Sequence, residues 1–239
     1  MAFVADEGRQ YVVAGPWRRR SDVAELIEVS RGGLRASLLA TVDTALAAQG
    51  VRLLVLDQGA HPVDRELCRE AGFGAIERIV EYERSGCTVP PCRSSLDLRP
   101  YRPADREAVL ELERQSFPWL WWNSREEWDA YVSLPGVDVI VGVDQERLVG
   151  YASTTVYYRD GHLDRLAVRG ADQGRGFGAA LLVAALTHLD RSGAKQVRLT
   201  TQADNHRAQA LYEKFGFRRG RLDYEIYGTW LAQSGDAEL

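Results

Sequence analysis

The sequence predicts an α/β (α+β) fold in which a mixed central sheet is flanked by helices, and three observations predict it. A strand-like run, a glycine-rich loop and a long apolar helix follow one another between Gly161 and Arg191. Strand-like and capped helical runs alternate from Leu96 to Trp230. Parts of the same plan recur, in the same order, between residues 1 and 84.

Taken in order, Leu96 to Tyr101 reads as a short strand. Asp105 can cap a helix through Ala108, Val109, Leu112 and Phe117, which Pro118 interrupts. Ser124 can cap a second helix, with Glu127 three residues on as in a capping box and with Trp128, Tyr131 and Val132 along it. Val137 to Val143 and Arg147 to Tyr158 read as a hairpin turning at Asp144-Gln145-Glu146, and Gly161 to Val168 as a further strand. An apolar helix runs from Gly178 to Arg191, Gln196 to Thr201 is a strand, and Asn205 to Phe215 is a helix stopped by Gly216. Phe217 to Trp230 is extended.

The earlier part echoes this plan. Ala36-Ser37-Leu38-Leu39 aligns with Ala179-Ala180-Leu181-Leu182 at an offset of about 143, and Glu70-Ala71-Gly72-Phe73 with Lys214-Phe215-Gly216-Phe217 at about 144. No counterpart of the first strand and first two helices precedes them. Paired prolines at Pro90-Pro91, among small polar residues, break the chain. The expected organisation is a partial module over 1–84, a linker over 85–95, a complete domain over 96–232 and a polar tail over 233–239.

Composition excludes several classes. With 45% hydrophobic and 27% charged residues, the 239-residue chain can bury a core without cross-links. Three cysteines without a Cys-x-x-Cys pair argue against a disulfide framework or a zinc ribbon and suit a reducing compartment. A net charge of −4 argues against nucleic acid as a partner. No apolar run reaches the ~18 residues of a membrane span, and the N-terminus lacks the basic start and apolar stretch of a secretory signal. The expectation is a cytoplasmic protein with no bound metal.

The chemistry lies in Leu166-Ala167-Val168-Arg169-Gly170-Ala171-Asp172-Gln173-Gly174-Arg175-Gly176-Phe177-Gly178-Ala179. Glycines between a strand and a helix let a ligand approach main-chain N–H groups, and a helix start attracts phosphate. A P-loop would need Gly-Lys-Ser/Thr, and a Rossmann loop an acidic residue on the next strand, which here reads Val197-Arg198-Leu199-Thr200-Thr201.

Gln173-x-x-Gly176-x-Gly178-Ala179 after Leu166-Ala167-Val168 resembles the coenzyme A signature of the GNAT acetyltransferase superfamily. Asn205-His206-Arg207-Ala208-Gln209-Ala210-Leu211-Tyr212-Glu213-Lys214-Phe215-Gly216-Phe217 and the opening Leu98-Arg99-Pro100-Tyr101-Arg102-Pro103-Ala104-Asp105 resemble the same superfamily. The likeness spans about Leu96 to Trp230, with a weaker echo in 1–84.

The resemblance implies an acetyl-CoA-dependent N-acetyltransferase acting by direct transfer to a primary amine, either a small molecule or a peptide N-terminus, as a monomer or homodimer. It implies that main-chain N–H groups from Gly174 through Arg175, Gly176, Phe177 and Gly178 to Ala179 hold the pyrophosphate. The pantetheine arm then runs beside Leu166, Ala167 and Val168, where two central strands splay. Arg175 stands either as a phosphate ligand or as a solvated loop arginine. Tyr212 matches the residue that gives a proton to the departing thiolate, and Asn205 one that caps its helix and bonds pantetheine. His162 and Asp164, alternating on one strand, point to one face; by the resemblance His162 stands at a catalytic-base position, and a structural histidine is the other reading. Thr200 departs from the glutamate of ribosomal-protein alanine acetyltransferases. Phe117 to Trp122 falls where such enzymes form the acceptor mouth. In the first module, Ser30 and Arg35 replace the loop glutamine and last glycine, while His61 and Cys68 stand at the Asn205 and Tyr212 positions. Coenzyme A binding is not expected there. A coenzyme A-binding regulator, and an enzyme using another acyl donor or a hydroxyl acceptor, remain alternatives.

Overall fold

Apolar periodicities of two and of three to four residues alternate along the chain, and strands and helices follow them. The computed structural model describes residues 3–7, 10–29, 36–58, 65–87, 89 and 94–231. By compactness the chain divides into a first unit, Met1–Ile79 with Asp223–Leu239, and a second, Val80–Leu222. These limits fall inside strands, away from the expected 85–95 linker; residues 88 and 90–93 of that segment lie outside the described residues.

The earlier elements are β1 (Phe3–Glu7), β2 (Gln10–Pro16), β3 (Val23–Val29), α1 (Ala36–Ala47), β4 (Leu53–Asp57), α2 (Arg65–Glu70) and β5 (Gly74–Ser85). In the first unit β1, β2 and β3 pair antiparallel, and β3 pairs parallel with β4. Leu38, Val42 and Leu46 recur every four residues on α1 and bury one helix stripe against Ala24, Leu26, Leu54 and Leu56.

The later elements are β6 (Asp97–Pro100), α3 (Arg106–Ser116), α4 (Arg125–Val132), β7 (Val137–Asp144), β8 (Arg147–Tyr157), β9 (Asp160–Val168), α5 (Phe177–Arg191), β10 (Gln196–Gln202), α6 (His206–Lys214) and β11 (Arg218–Trp230). The residues Ile226–Trp230 of β11 pair antiparallel with β4 in the first unit. From β7 to β11 the chain repeats the order strand, strand, strand, helix, strand, helix, strand that runs from β1 to β5.

The second unit has helices on both faces of its sheet. Leu181, Ala185 and Leu189 of α5 pack on Val149, Leu163 and Val197. Val109 and Leu112 of α3 and Trp128 of α4 pack on Val141, Tyr151 and Ala167. Trp128 is fully buried, with the Tyr101 and Tyr151 rings edge-on to it at 5.7 and 5.6 Å.

Two irregularities in β9 make room for a site. Ser153 pairs with Arg165 and Thr154 with Leu163, so Asp164 is a bulge with no residue opposite. Strict alternation would put Leu163 and Ala167 on one face, yet Leu163 joins the α5 cluster and Ala167 the α3/α4 cluster. In addition, β9 pairs in parallel with β10 only from Asp160–Gln196 to His162–Arg198, and the paired register then ends.

Ser124 caps α4 as expected, accepting the Glu127 N–H at 2.9 Å. Ser124→Ala should cost about 1 kcal/mol, read as a lower urea midpoint at unchanged slope. Asp105 behaves otherwise than expected. Its carboxylate does not cap α3; it accepts the Arg102 N–H at 2.8 Å and takes both ends of the Arg99 guanidinium at 2.7 Å. That guanidinium holds the Asp105 carboxyl below its ordinary range. A 3₁₀ turn at Pro103–Asp105 precedes the helix, so the bond goes to the turn. Among the described residues no helix is long and apolar enough to cross a membrane.

Candidate active site

Where β9 and β10 part, a cleft of about 420 Å³ opens in the second unit. Leu166, Ala167 and Val168 of β9 line it, with Gln202 at the end of β10. The glycine loop contributes Gln173, Gly174, Gly176, Gly178 and Ala179, and α6 contributes Asn205, Ala208, Leu211 and Tyr212. Ser116, Phe117 and Pro118 line it as well. Ten of the sequence-predicted site residues, 46 positions apart at the extremes, thus share one cavity.

The loop is shaped as a cradle. Gly174 and Gly176 have φ of +86° and +83°, a region that side chains other than glycine rarely adopt, and a Cβ at either would meet nothing within 4 Å. Gly176 precedes α5 and no side chain caps that helix, so its first N–H groups are left for a ligand. Gln173 ties the loop to the strand, donating from Nε2 to the Val168 carbonyl at 2.9 Å. Arg175 and the Phe177 side chain do not line the cleft. Phe177 is in the core. Arg175 lies over the Phe177 ring at 4.4 Å and pairs with Asp144 at 2.8 Å and Asp172 at 2.9 Å. Asp172, 4% exposed, also approaches Arg147 at 3.4 Å, so fixed charges brace the base of the loop.

Tyr212 stands on the α6 side of the cleft, its ring between Tyr82 and Phe217 at 6.2 and 5.9 Å. Burial pushes its phenol well above the ordinary value, so it keeps its proton at any physiological pH. Asn205 caps α6, accepting the Ala208 N–H at 3.2 Å, while its Nδ2 donates to Thr201 Oγ1 at 3.3 Å.

His162 and Asp164 meet each other but do not line the cleft. His162 Nδ1 lies 2.8 Å from Asp164 Oδ1. A carboxylate only accepts, so Nδ1 carries the proton and Nε2 is left as the basic nitrogen. Asp164 Oδ2 accepts from the Tyr131 hydroxyl at 2.6 Å and from Thr155 at 2.7 Å. Burial, then the Asp164 charge, raises the Tyr131 phenol, which stays a donor. The His162 side chain is 42% exposed. It stands four residues from Leu166, about 13 Å along a strand, so a proton relay to the cleft needs water.

Sequence reasoning missed Arg207 and Lys214, which line the cleft from α6. Their spacing about Leu211 (i, i+4, i+7) was the available signal. It also missed Glu113, buried at 1% in the apolar stripe of α3 beside Leu112, and its partner Arg165 at 3.0 Å. In the first unit, the loop 30–35 and His61 lie outside the described residues. Cys68 is fully buried among α1 and β4 residues, as a small apolar side chain would be.

Known proteins bear on this geometry. The family model described as Acetyltransferase (GNAT) family matches residues 106–217. A mycothiol acetyltransferase of Kocuria rhizophila is 30% identical over 210 residues, covering 76% of this chain and 69% of its own. One of Amycolatopsis mediterranei is 28% identical over 218 residues, covering 82% and 70%. In fold, the chain is similar to a tandem GNAT protein from the clavulanic acid biosynthesis pathway, with a TM-score of 0.65 at 14% identity over 96% of this chain and 82% of that one. The curated relatives share the name of an acetyl transfer, and the solved structure shares the fold. The chain belongs to the GNAT acetyltransferase family and is an acyltransferase.

Proposed function

We propose that this enzyme moves an acetyl group from acetyl-CoA to a primary amine by direct attack, with a small-molecule amine as acceptor. The cleft carries the reading: it joins the open glycine cradle, the unpaired edge of β9 and a protonated phenol in one cavity. The residues present fit the cosubstrate. N–H groups from Gly174 to Ala179 suit its pyrophosphate, the Leu166–Val168 edge suits the amides of the pantetheine arm, and the cations Arg207 and Lys214 add positive charge to the wall. Acetyl-CoA supplies an acetyl thioester.

The chain's own residues then handle protons. An ammonium has no lone pair, so the acceptor must lose a proton; His162 Nε2 takes it through water while Asp164 holds the ring. A nitrogen–carbon bond forms as the carbon–sulfur bond breaks, and Tyr212 donates at the departing sulfur. The β9 edge N–H groups stabilise charge on the acyl oxygen. The relatives named mycothiol acetyltransferase make thiol-bearing amines of that kind the first acceptors to try. We read the earlier unit as a degenerate, truncated copy of the same module, supported by its repeated element order.

The test is release of thiol from acetyl-CoA by the purified protein over a panel of amines and alcohols. Turnover with amines is expected, and His162→Ala should lower kcat about 10²-fold without weakening acetyl-CoA binding. Binding of acetyl-CoA without turnover on any acceptor would support a regulator instead, and faster turnover with alcohols would transfer the reading to ester formation.

A further inference from the structure

A buried charge pair behind the Phe117 wall has no part in the chemistry above. Arg165 of β9 is 9% exposed and Glu113 of α3 only 1%. The Glu113 carboxylate accepts the Tyr151 hydroxyl at 2.5 Å and the backbone and side-chain N–H groups of Asn123 at 3.1 Å each. Arg165 stands 3.0 Å from that carboxylate. On its other side Arg165 donates to the Trp121 carbonyl at 2.7 Å and lies over the Phe117 ring at 4.6 Å. The Trp122 ring N–H closes the segment on itself, donating to the Phe117 carbonyl at 2.8 Å.

The pair therefore grips segment 117–123 at three places: Phe117 and Trp121 through Arg165, and Asn123 through Glu113. The bulge at Asp164 makes this possible. Without the extra residue, alternation would turn Arg165 with Leu163 toward α5. Two buried charges pay a desolvation cost that apolar residues of the same volume would avoid. What only the charged pair supplies is direction: a planar guanidinium donates to a carbonyl and lies over a ring while its charge is balanced by a carboxylate 3.0 Å away. Phe117 lines the cleft, so the grip decides where that wall stands.

We propose that Arg165, balanced by Glu113, is a positioning residue that latches segment 117–123 onto the strand bearing His162. The latch sets which primary amines reach the cleft, by the shape of the group flanking the nitrogen. This rests on the acyl-transfer reading above.

The test compares the unsubstituted protein with the double variant Glu113→Gln/Arg165→Met, which removes both charges and keeps one acceptor oxygen for Tyr151 and the Asn123 side chain, though not for the Asn123 backbone N–H. Arg165→Lys, which keeps the charge but loses the fork, carries the test if the double variant does not fold. Hydrogen exchange and two-substrate kinetics are measured on each. Exchange at residues 117–123 should rise about tenfold with β9 unchanged. The acceptor KM should rise about tenfold and preferences among amines flatten, with the acetyl-CoA KM within about twofold. A merely structural loss would move both KM values together. Unchanged exchange at 117–123 in a folded variant, unchanged amine preference, or an equal rise in both KM values would overturn the latch. Absence of turnover in the unsubstituted protein with every amine would instead sink the acyl-transfer reading, and the acceptor role of the latch with it.

Discussion

Tyr212→Phe is expected to lower kcat about 10²-fold while acetyl-CoA affinity stays within about twofold. The substitution removes one oxygen and keeps the ring that packs between Tyr82 and Phe217, so the fold should not change. The lost rate corresponds to about 2.7 kcal/mol of transition-state stabilisation, the scale of one proton donor acting at a leaving group. The pH dependence gives a second check. Burial raises the phenol above its ordinary value of 10.0, so its proton is retained, not released, as pH climbs toward that value. The unsubstituted enzyme should therefore show no fall in kcat from this residue below about pH 10. Isothermal titration with acetyl-CoA and stopped-time thiol release separate binding from turnover. Equal rates for the two proteins would remove Tyr212 from the mechanism.

Glu113→Ala should be the most damaging change to stability, at about 3–5 kcal/mol. The cost comes from what is left behind. Arg165 keeps its charge in a site where it is 9% exposed, and Tyr151 and the Asn123 N–H groups lose their acceptor. For a chain of this size the melting temperature should fall by about 10 °C. Glu113→Gln keeps one acceptor oxygen but leaves the Arg165 charge equally uncompensated, so it should lose less than Glu113→Ala while remaining clearly destabilised. A Glu113→Ala protein that melts within about 2 °C of the parent would show that the carboxylate does not carry the Arg165 charge.

The order of elements was legible because each rests on local chemistry. Ser124 caps the helix that follows it, a preference set by its own hydroxyl and the next three residues, and Gly174 and Gly176 permit a left-handed backbone that other residues resist. The cleft residues could be named from a short motif, since a strand, a glycine loop and a helix start are contiguous in the chain. Asp105 was misjudged because capping residues look alike in a sequence; the choice between the α3 N–H groups and the Arg102 N–H depends on the intervening turn and on Arg99. Glu113 and Arg165 escaped notice for a related reason. A glutamate within a helix and an arginine within a strand are ordinary as solvated residues, and nothing within a few positions of either reveals 52 residues of separation closed to 3.0 Å.

The amino-acid sequence by itself determined the periodicities, the Ser124 and Asn205 caps, the left-handed glycine loop and the alternation of His162 with Asp164. Each is a property of a few neighbouring residues and the backbone angles they allow. Tertiary structure alone decided which face Arg165 takes after the Asp164 bulge, where β9 parts from β10, and that Arg175 pairs with Asp144 and Asp172. Those outcomes depend on pairing register and on competition among distant charges, which are settled only when whole elements pack and water is excluded from between them.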